Sequence, residues 1–112
     1  MKFTTSLKKN HEFKRLYSKG KSAASHYAAV YCRRNGTDTN RLGITVSTKL
    51  GGAVSRNRIR RRLKEIYRHN ESKLPAGYDI VIVARSACSG ALYYDIEYSV
   101  LTVFKKLRLI SG

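Results

Sequence analysis

Acidic residues are scarce in this 112-residue chain: 7 Asp and Glu stand against 23 Lys and Arg, giving a formal net charge of +16 and a pI near 10.3. So much charge of one sign repels itself in a compact fold and calls for a polyanionic partner. Nucleic acid leads, because each neutralised phosphate releases a counterion. Long apolar runs are missing as well. None approaches the ~18 residues that span a bilayer, and no apolar stretch follows Met1–Thr5 as it would in a signal peptide. A membrane partner would want a basic amphipathic helix or a lipid anchor. The expectation is a soluble cytoplasmic protein with no membrane partner. Cysteine is limited to Cys32 and Cys88, without a CxxC pair or a His at zinc-finger spacing. These two are expected to be small buried hydrophobes, not a disulfide or a metal site.

Catalytic groupings are also lacking. Glu12, Asp38, Glu65, Glu71, Asp79, Asp95 and Glu97 form no DxD or ExxE pair for two metals. His11, His26 and His69 are isolated, and Gly51-Gly52 lacks the GxxxxGK pattern of a phosphate loop. The residues therefore offer no catalytic constellation, and whether the chain holds a metal stays open.

What is present reads as one domain over residues 1–112, since no repeat or Pro/Ser-rich linker divides it. Hydrophobic residues make up 42%, enough for one core. Met1–Lys9 is a basic lead-in expected to be partly flexible. Asn10 is placed to cap a short helix whose face is Phe13, Leu16 and Tyr17 and which stops at Gly20. Ala23–Arg33 has strand character, with Tyr27, Ala29 and Tyr31 on one face and Ala28, Val30 and Cys32 on the other. After a turn at Asn35–Asp38, Arg41–Ser47 is a second strand. Lys49–Ala53 is a flexible link. From Ser55, the candidate cap, to about Asn70, Ile59, Leu63, Ile66 and Tyr67 make a helical stripe. Pro75–Gly77 breaks it. Ile80–Val83 is an unbroken apolar run suited to a strand buried on both sides, and Tyr93–Leu109 keeps the helical period. The order α-β-β-α-β-α implies an α+β or α/β sandwich, a mixed sheet packed with helices.

The densest feature is Arg56-Asn57-Arg58-Ile59-Arg60-Arg61-Arg62-Leu63-Lys64. With the helix starting at Ser55, five arginines fall in its first two turns, where the helix dipole disfavours cations by roughly 0.3–1 kcal/mol each. The same place suits phosphate, because free N–H groups and guanidinium forks point together. A solvated charged face would mix signs, yet Glu65 is the only acid between Asp38 and Glu71. Aromatics come next: 8 Tyr and 3 Phe, no Trp. Tyr27 and Tyr31 on one strand face, and Phe13 and Tyr17 one turn apart on the first helix, stand beside basic residues and suit stacking on single-stranded nucleic acid, at about 1–3 kcal/mol per base, although core packing serves Phe13 equally well. A sequence-specific DNA binder would place its basic helix in a helix-turn-helix. Here that helix follows a strand, so no DNA partner is expected.

The stretch Arg41-Leu42-Gly43-Ile44-Thr45-Val46-Ser47-Thr48-Lys49-Leu50-Gly51-Gly52-Ala53-Val54-Ser55-Arg56-Asn57-Arg58-Ile59-Arg60-Arg61 closely resembles the signature of the bacterial ribonuclease P protein subunit: a strand, Gly-x-Ala-Val, then Arg-Asn-Arg opening a basic helix. Leu7–Phe13, Gly20 and Asp79–Arg85 match too. The resemblance implies about four strands, three main helices and a left-handed βαβ crossover, a ribosomal-protein-S5-domain-2-like arrangement. It also implies partnership with a catalytic RNA subunit and precursor tRNA, whose 5′ leader that RNA removes, with Mg2+ held mainly by RNA and substrate. Carried over by position, Arg56, Asn57, Arg58, Arg60, Arg61, Arg62 and Lys64 would face the RNA subunit. Phe13, Tyr17, Tyr31 and Lys49 would line a cleft for the leader. Thr48 departs from the usual Lys, which puts one cleft phosphate contact in doubt, and Tyr17 stands where Phe is common. A ribosomal or other structural RNA-binding protein is the alternative.

Overall fold

The computed structural model describes residues 1–111. One mixed sheet of five strands forms its centre, in the order β1-β4-β5-β3-β2. The strands are β1 (Thr4–Ser6), β2 (Lys21–Ala24), β3 (Ala28–Arg34), β4 (Asn40–Thr45) and β5 (Tyr78–Ala84). The helices are α1 (Asn10–Lys19), α2 (Ala53–Asn70) and α3 (Tyr93–Lys106). β1 runs parallel to β4 and β4 parallel to β5, while β3 is antiparallel to both β5 and β2. A parallel neighbouring pair needs a crossover, and α2 supplies it between β4 and β5.

Strand alternation divides the apolar residues between two faces. Ala28, Val30, Cys32, Leu42, Ile80, Ile82 and Ala84 meet Ile59, Leu63, Ile66 and Tyr67 of α2 and Ile96, Val100, Val103 and Phe104 of α3 in the main core. On the other face Val81 packs with Leu7 and Leu16, with Phe13, Tyr31 and Val83 partly buried around them. The central strand is thus covered on both sides, as its apolar run implies. Both cysteines are buried and free.

Five strands replace the four expected, because the lead-in is ordered in part. Thr4–Ser6 pairs with Asn40–Leu42, anchored by a buried Glu71. That carboxylate accepts from Lys2 N–H at 2.7 Å, Phe3 N–H at 3.3 Å and Thr4 Oγ1 at 2.5 Å. Thr4 Oγ1 also lies 2.8 Å from the hydroxyl of the fully buried Tyr67. The single strand expected over Ala23–Arg33 is two strands. Its chain breaks at Ser25–Tyr27, where Ser99 of α3 bonds the Ser25 hydroxyl and, at 3.1 Å, the Tyr27 N–H. Tyr27 is thereby drawn to the main core and leaves the Tyr31 face.

Helix boundaries shift for local reasons. Lys9, not Asn10, is the residue before α1, and Glu12 reaches back to its N–H at 3.3 Å. Gly20 ends α1 by lack of a side chain, since a Cβ there would sit 2.6 Å from the Leu16 carbonyl oxygen and 2.9 Å from that of Cys32. The expected flexible link Lys49–Ala53 is ordered at its start, where Thr48–Leu50 forms a 3-10 turn that buries Leu50. α2 then begins at Ala53 with Gly52 as cap, ahead of Ser55. α3 stops at Lys106, short of Leu109, because Arg108 turns left-handed (φ 59°) and swings Leu109 back onto the core.

Glu71 gives a pH signature. Burial works to raise its pKa, but the Thr4, Lys2 and Phe3 donors outweigh burial and hold it below the usual carboxylate range. A carboxylate depressed in the fold adds stability above its unfolded pKa of about 4.3, and that stability is lost as pH falls through the folded value. Glu71→Gln should therefore cost about 1–2 kcal/mol at pH 7 and distinctly less at pH 3. Urea midpoints at the two pH values check this, and an equal deficit at both would refute it.

Candidate nucleic-acid interface

α2 turns its apolar stripe inward, which leaves its basic residues on two flanks. Asn57, Arg60, Arg61 and Lys64 share one flank with Val54, which is 76% exposed. Arg58 and Arg62 lie on the other, beside the Cys88–Leu92 segment. Arg62 is tethered there, donating to the Ala91 carbonyl at 2.9 Å, and Arg60 donates to Asn57 Oδ1 at 2.9 Å. Arg56 is half-buried, and its Nε finds no acceptor. Because α2 starts at Ala53, its first two turns hold Arg56, Arg58 and Arg60, fewer than a start at Ser55 implies. The first turn still contains no acid.

No carboxylate of the fold neutralises this surface among the described residues. Glu12 and Asp79 are both taken by Arg41, with Asn35 donating to Asp79 at 3.0 Å. Glu71 is consumed by the N-terminal strand, and Glu65 pairs with Arg68 and His69 at the far end of the helix. Hydrogen bonding by Arg68 holds the Glu65 carboxyl below its ordinary range. The compensating charge for Arg56–Lys64 has to come from outside the chain.

The aromatic residues converge on the other sheet face. Phe13 and Tyr17 of α1 stand with ring centroids 6.5 Å apart, and Tyr17 meets Tyr31 of β3 edge-on at 4.9 Å. Phe13 rests on bare backbone: a Cβ on Gly43 would come within 2.6 Å of its ring. Tyr17, 42% exposed, reaches Thr45 Oγ1 with its hydroxyl at 3.1 Å. The register aligns Tyr31, Val81 and Gly43 in one row and Ala29, Val83 and Thr45 in the next. Small residues thus floor a cleft edged by aromatic rings. Lys49 is exposed in the turn that leaves the Thr45 end of β4.

Sequence reading treats these as separate features, but one groove joins them. Thr5, Ser6, Phe13, Gly43, Arg60 and Lys64 line it together, with Arg68 at its edge. Thr5, Ser6 and Arg68 gave no sequence signal, since the groove exists only because β1 docks beside β4. Among the described residues no three His, Cys, Asp or Glu side chains come together to hold a metal ion. Nor, among the described residues, is any helix long and apolar enough to cross a membrane.

A basic helix without internal counterions, continuous with an aromatic cleft on an α+β sheet, defines an RNA-binding protein. The model of the ribonuclease P family matches residues 1–108. The ribonuclease P protein component of Alkaliphilus oremlandii is 44% identical over 112 residues, all of this chain and 98% of the relative. That of Clostridium acetobutylicum is 45% identical over 106 residues, covering 93% and 89%. Among solved structures, the RNase P protein of Staphylococcus aureus superposes with a TM-score of 0.86 at 36% identity, covering 97% of this chain and 98% of the other. That of Thermotoga maritima gives 0.81 at 33% identity, covering 96% and 98%. The chain belongs to the ribonuclease P protein family, the RNA-binding subunit that aids a catalytic RNA in processing the 5′ end of tRNA.

Proposed function

We propose that this chain contributes binding and no catalytic group, working as a basic wedge between ribonuclease P RNA and precursor tRNA. The uncompensated flanks of α2 carry the reading. Asn57, Arg58, Arg60, Arg61 and Lys64 meet phosphates of the RNA subunit, while Arg56 and Arg62 hold the helix edge and add field. The groove over β1 then leads to Phe13, Tyr17 and Tyr31, which take the single-stranded 5′ leader, with Lys49 supplying charge at the exit. Aromatic faces accept any base, so leader binding is tolerant of sequence. Magnesium, where the reaction needs it, is held mainly by RNA and substrate. The protein's cations do part of the same electrostatic work, lowering the repulsion between two polyanions.

The test is cleavage of precursor tRNA by ribonuclease P RNA, with and without the protein, across magnesium concentrations. Stimulation should be large at low magnesium and small at high magnesium, and the purified protein without RNA should leave the substrate intact. Equal stimulation throughout would remove the electrostatic basis. In a binding titration with the assembled protein and ribonuclease P RNA, Tyr31→Ala should weaken binding of leader-bearing substrate by roughly 1–3 kcal/mol and leave mature tRNA unaffected. An equal loss for both ligands would make Tyr31 a packing residue.

A further inference from the structure

A second group of cations lies diagonally across the sheet from α2. Pairing of Lys21 with Cys32 sets β2 against the end of β3, and the tight passage at Gly20 brings the end of α1 to the same place. Lys19, Lys21, Arg33 and Arg34 thereby line one cavity of about 250 Å3, closed by Tyr78 and Leu107 with Cys32 at its floor. The Arg34 guanidinium sits 5.3 Å from the centre of the Tyr78 ring. Arg33 lies opposite Asp79 in the strand register, but that carboxylate accepts from Arg41 at 2.8 and 2.6 Å and from Asn35. None of the salt bridges among the described residues includes any of these cations. α2 leaves the opposite end of the sheet, beyond Thr45 and on the β1–β4 side, so a strand held only by α2 does not also fill this pocket.

We propose that Lys19, Lys21, Arg33 and Arg34 form a second phosphate-binding site that accepts two neighbouring phosphate groups. Four cations around one cavity match the charge of paired phosphates better than that of a lone carboxylate. Neighbouring phosphates occur in an RNA backbone and in a free polyphosphate, and binding by either relieves the repulsion among these cations. A backbone there would give the protein a contact at the edge of the sheet opposite the α2 groove, so that it grips RNA at two separate places.

The experiment uses the full chain and its Lys19→Gln/Lys21→Gln variant, both changes lying at exposed positions. Sodium pyrophosphate is titrated at low salt while backbone amide resonances are followed. The amides of Gly20, Lys21, Arg33 and Arg34 should shift, and in the variant their apparent Kd should rise at least tenfold. The amides of α2 should respond alike in both proteins, which shows that the variant is folded. In a second arm, affinity for ribonuclease P RNA is measured against salt. A slope smaller by about 1.4–1.8 in the variant identifies RNA phosphates as the occupant, whereas an unchanged slope with the pyrophosphate effect intact identifies free polyphosphate. Pyrophosphate shifts confined to α2, or shifts at Gly20–Lys21 that persist undiminished in the variant, would overturn the proposal.

Discussion

Replacing Arg58, Arg60 and Arg61 together by alanine should weaken binding of ribonuclease P RNA by roughly 100-fold near 0.15 M salt, and hardly at all near 1 M. Each phosphate contact adds about 0.9 to the slope of log affinity against log salt, so losing three should flatten it by about 2.7. Arg58→Ala alone should flatten it by about one unit. Folding stability should hold or rise, since none of the three pairs with a carboxylate and two lie within the turns where the dipole opposes cations. Arg62→Ala is the contrast. It removes a donor from the Ala91 carbonyl and should cost about 1 kcal/mol of stability. A triple variant that unfolds more easily yet keeps the wild-type salt slope would show α2 to be structural.

These outcomes depend on how the sheet distributes its faces. The main core consumes one whole side, with α2 and α3 packed over it. The other side carries α1, ten residues long, whose Leu16 covers Val81 together with Leu7 but leaves the row of Ala29, Val83 and Thr45 half-exposed. A helix too short to close its face creates the cleft. The crossover from β4 to β5 then places the basic helix beside the edge of that same face. Binding surface and core are two results of one strand alternation.

Much of this was legible in the chain. The stripe of Ile59, Leu63, Ile66 and Tyr67 and the run Ile80–Val83 reflect local periodicity, which survives folding because each residue's role depends on its neighbours in sequence. Phe13 and Tyr17 could be paired for the same reason, whereas Tyr31, on a strand 14 residues further on, joined them only through the family resemblance. The hidden parts all hang on distant partners. Thr4–Ser6 has no apolar pattern, and its pairing is secured by Glu71, 67 residues away from Thr4. The break at Ser25–Tyr27 is imposed by Ser99, 74 residues beyond Ser25. The groove that joins basic helix to aromatic cleft inherits this invisibility, since β1 forms its floor. The cap of α1 was missed by one residue and that of α2 by three, because Lys9 and Gly52 take those positions without the Ser, Thr, Asn or Asp side chain that usually marks them.

Gly43→Val should disable the cleft from beneath. Valine favours strands, and at an ordinary position in β4 the change would be mild or stabilising. Here the new Cβ lands 2.6 Å from Phe13 and 3.4 Å from Val81, so the Phe13 ring must leave its seat and push α1 with it. Overpacking of this kind costs roughly 1–3 kcal/mol, and the aromatic line loses its first ring. Leader-bearing substrate should lose affinity while binding of the RNA subunit through α2 persists. Phe13→Ala added to Gly43→Val opens the space again. The double variant should recover stability relative to the sum of the two single losses, with a coupling of about 1 kcal/mol or more. Additive losses would mean that the ring does not rest on the glycine, and the cleft would then lack the floor on which leader binding depends.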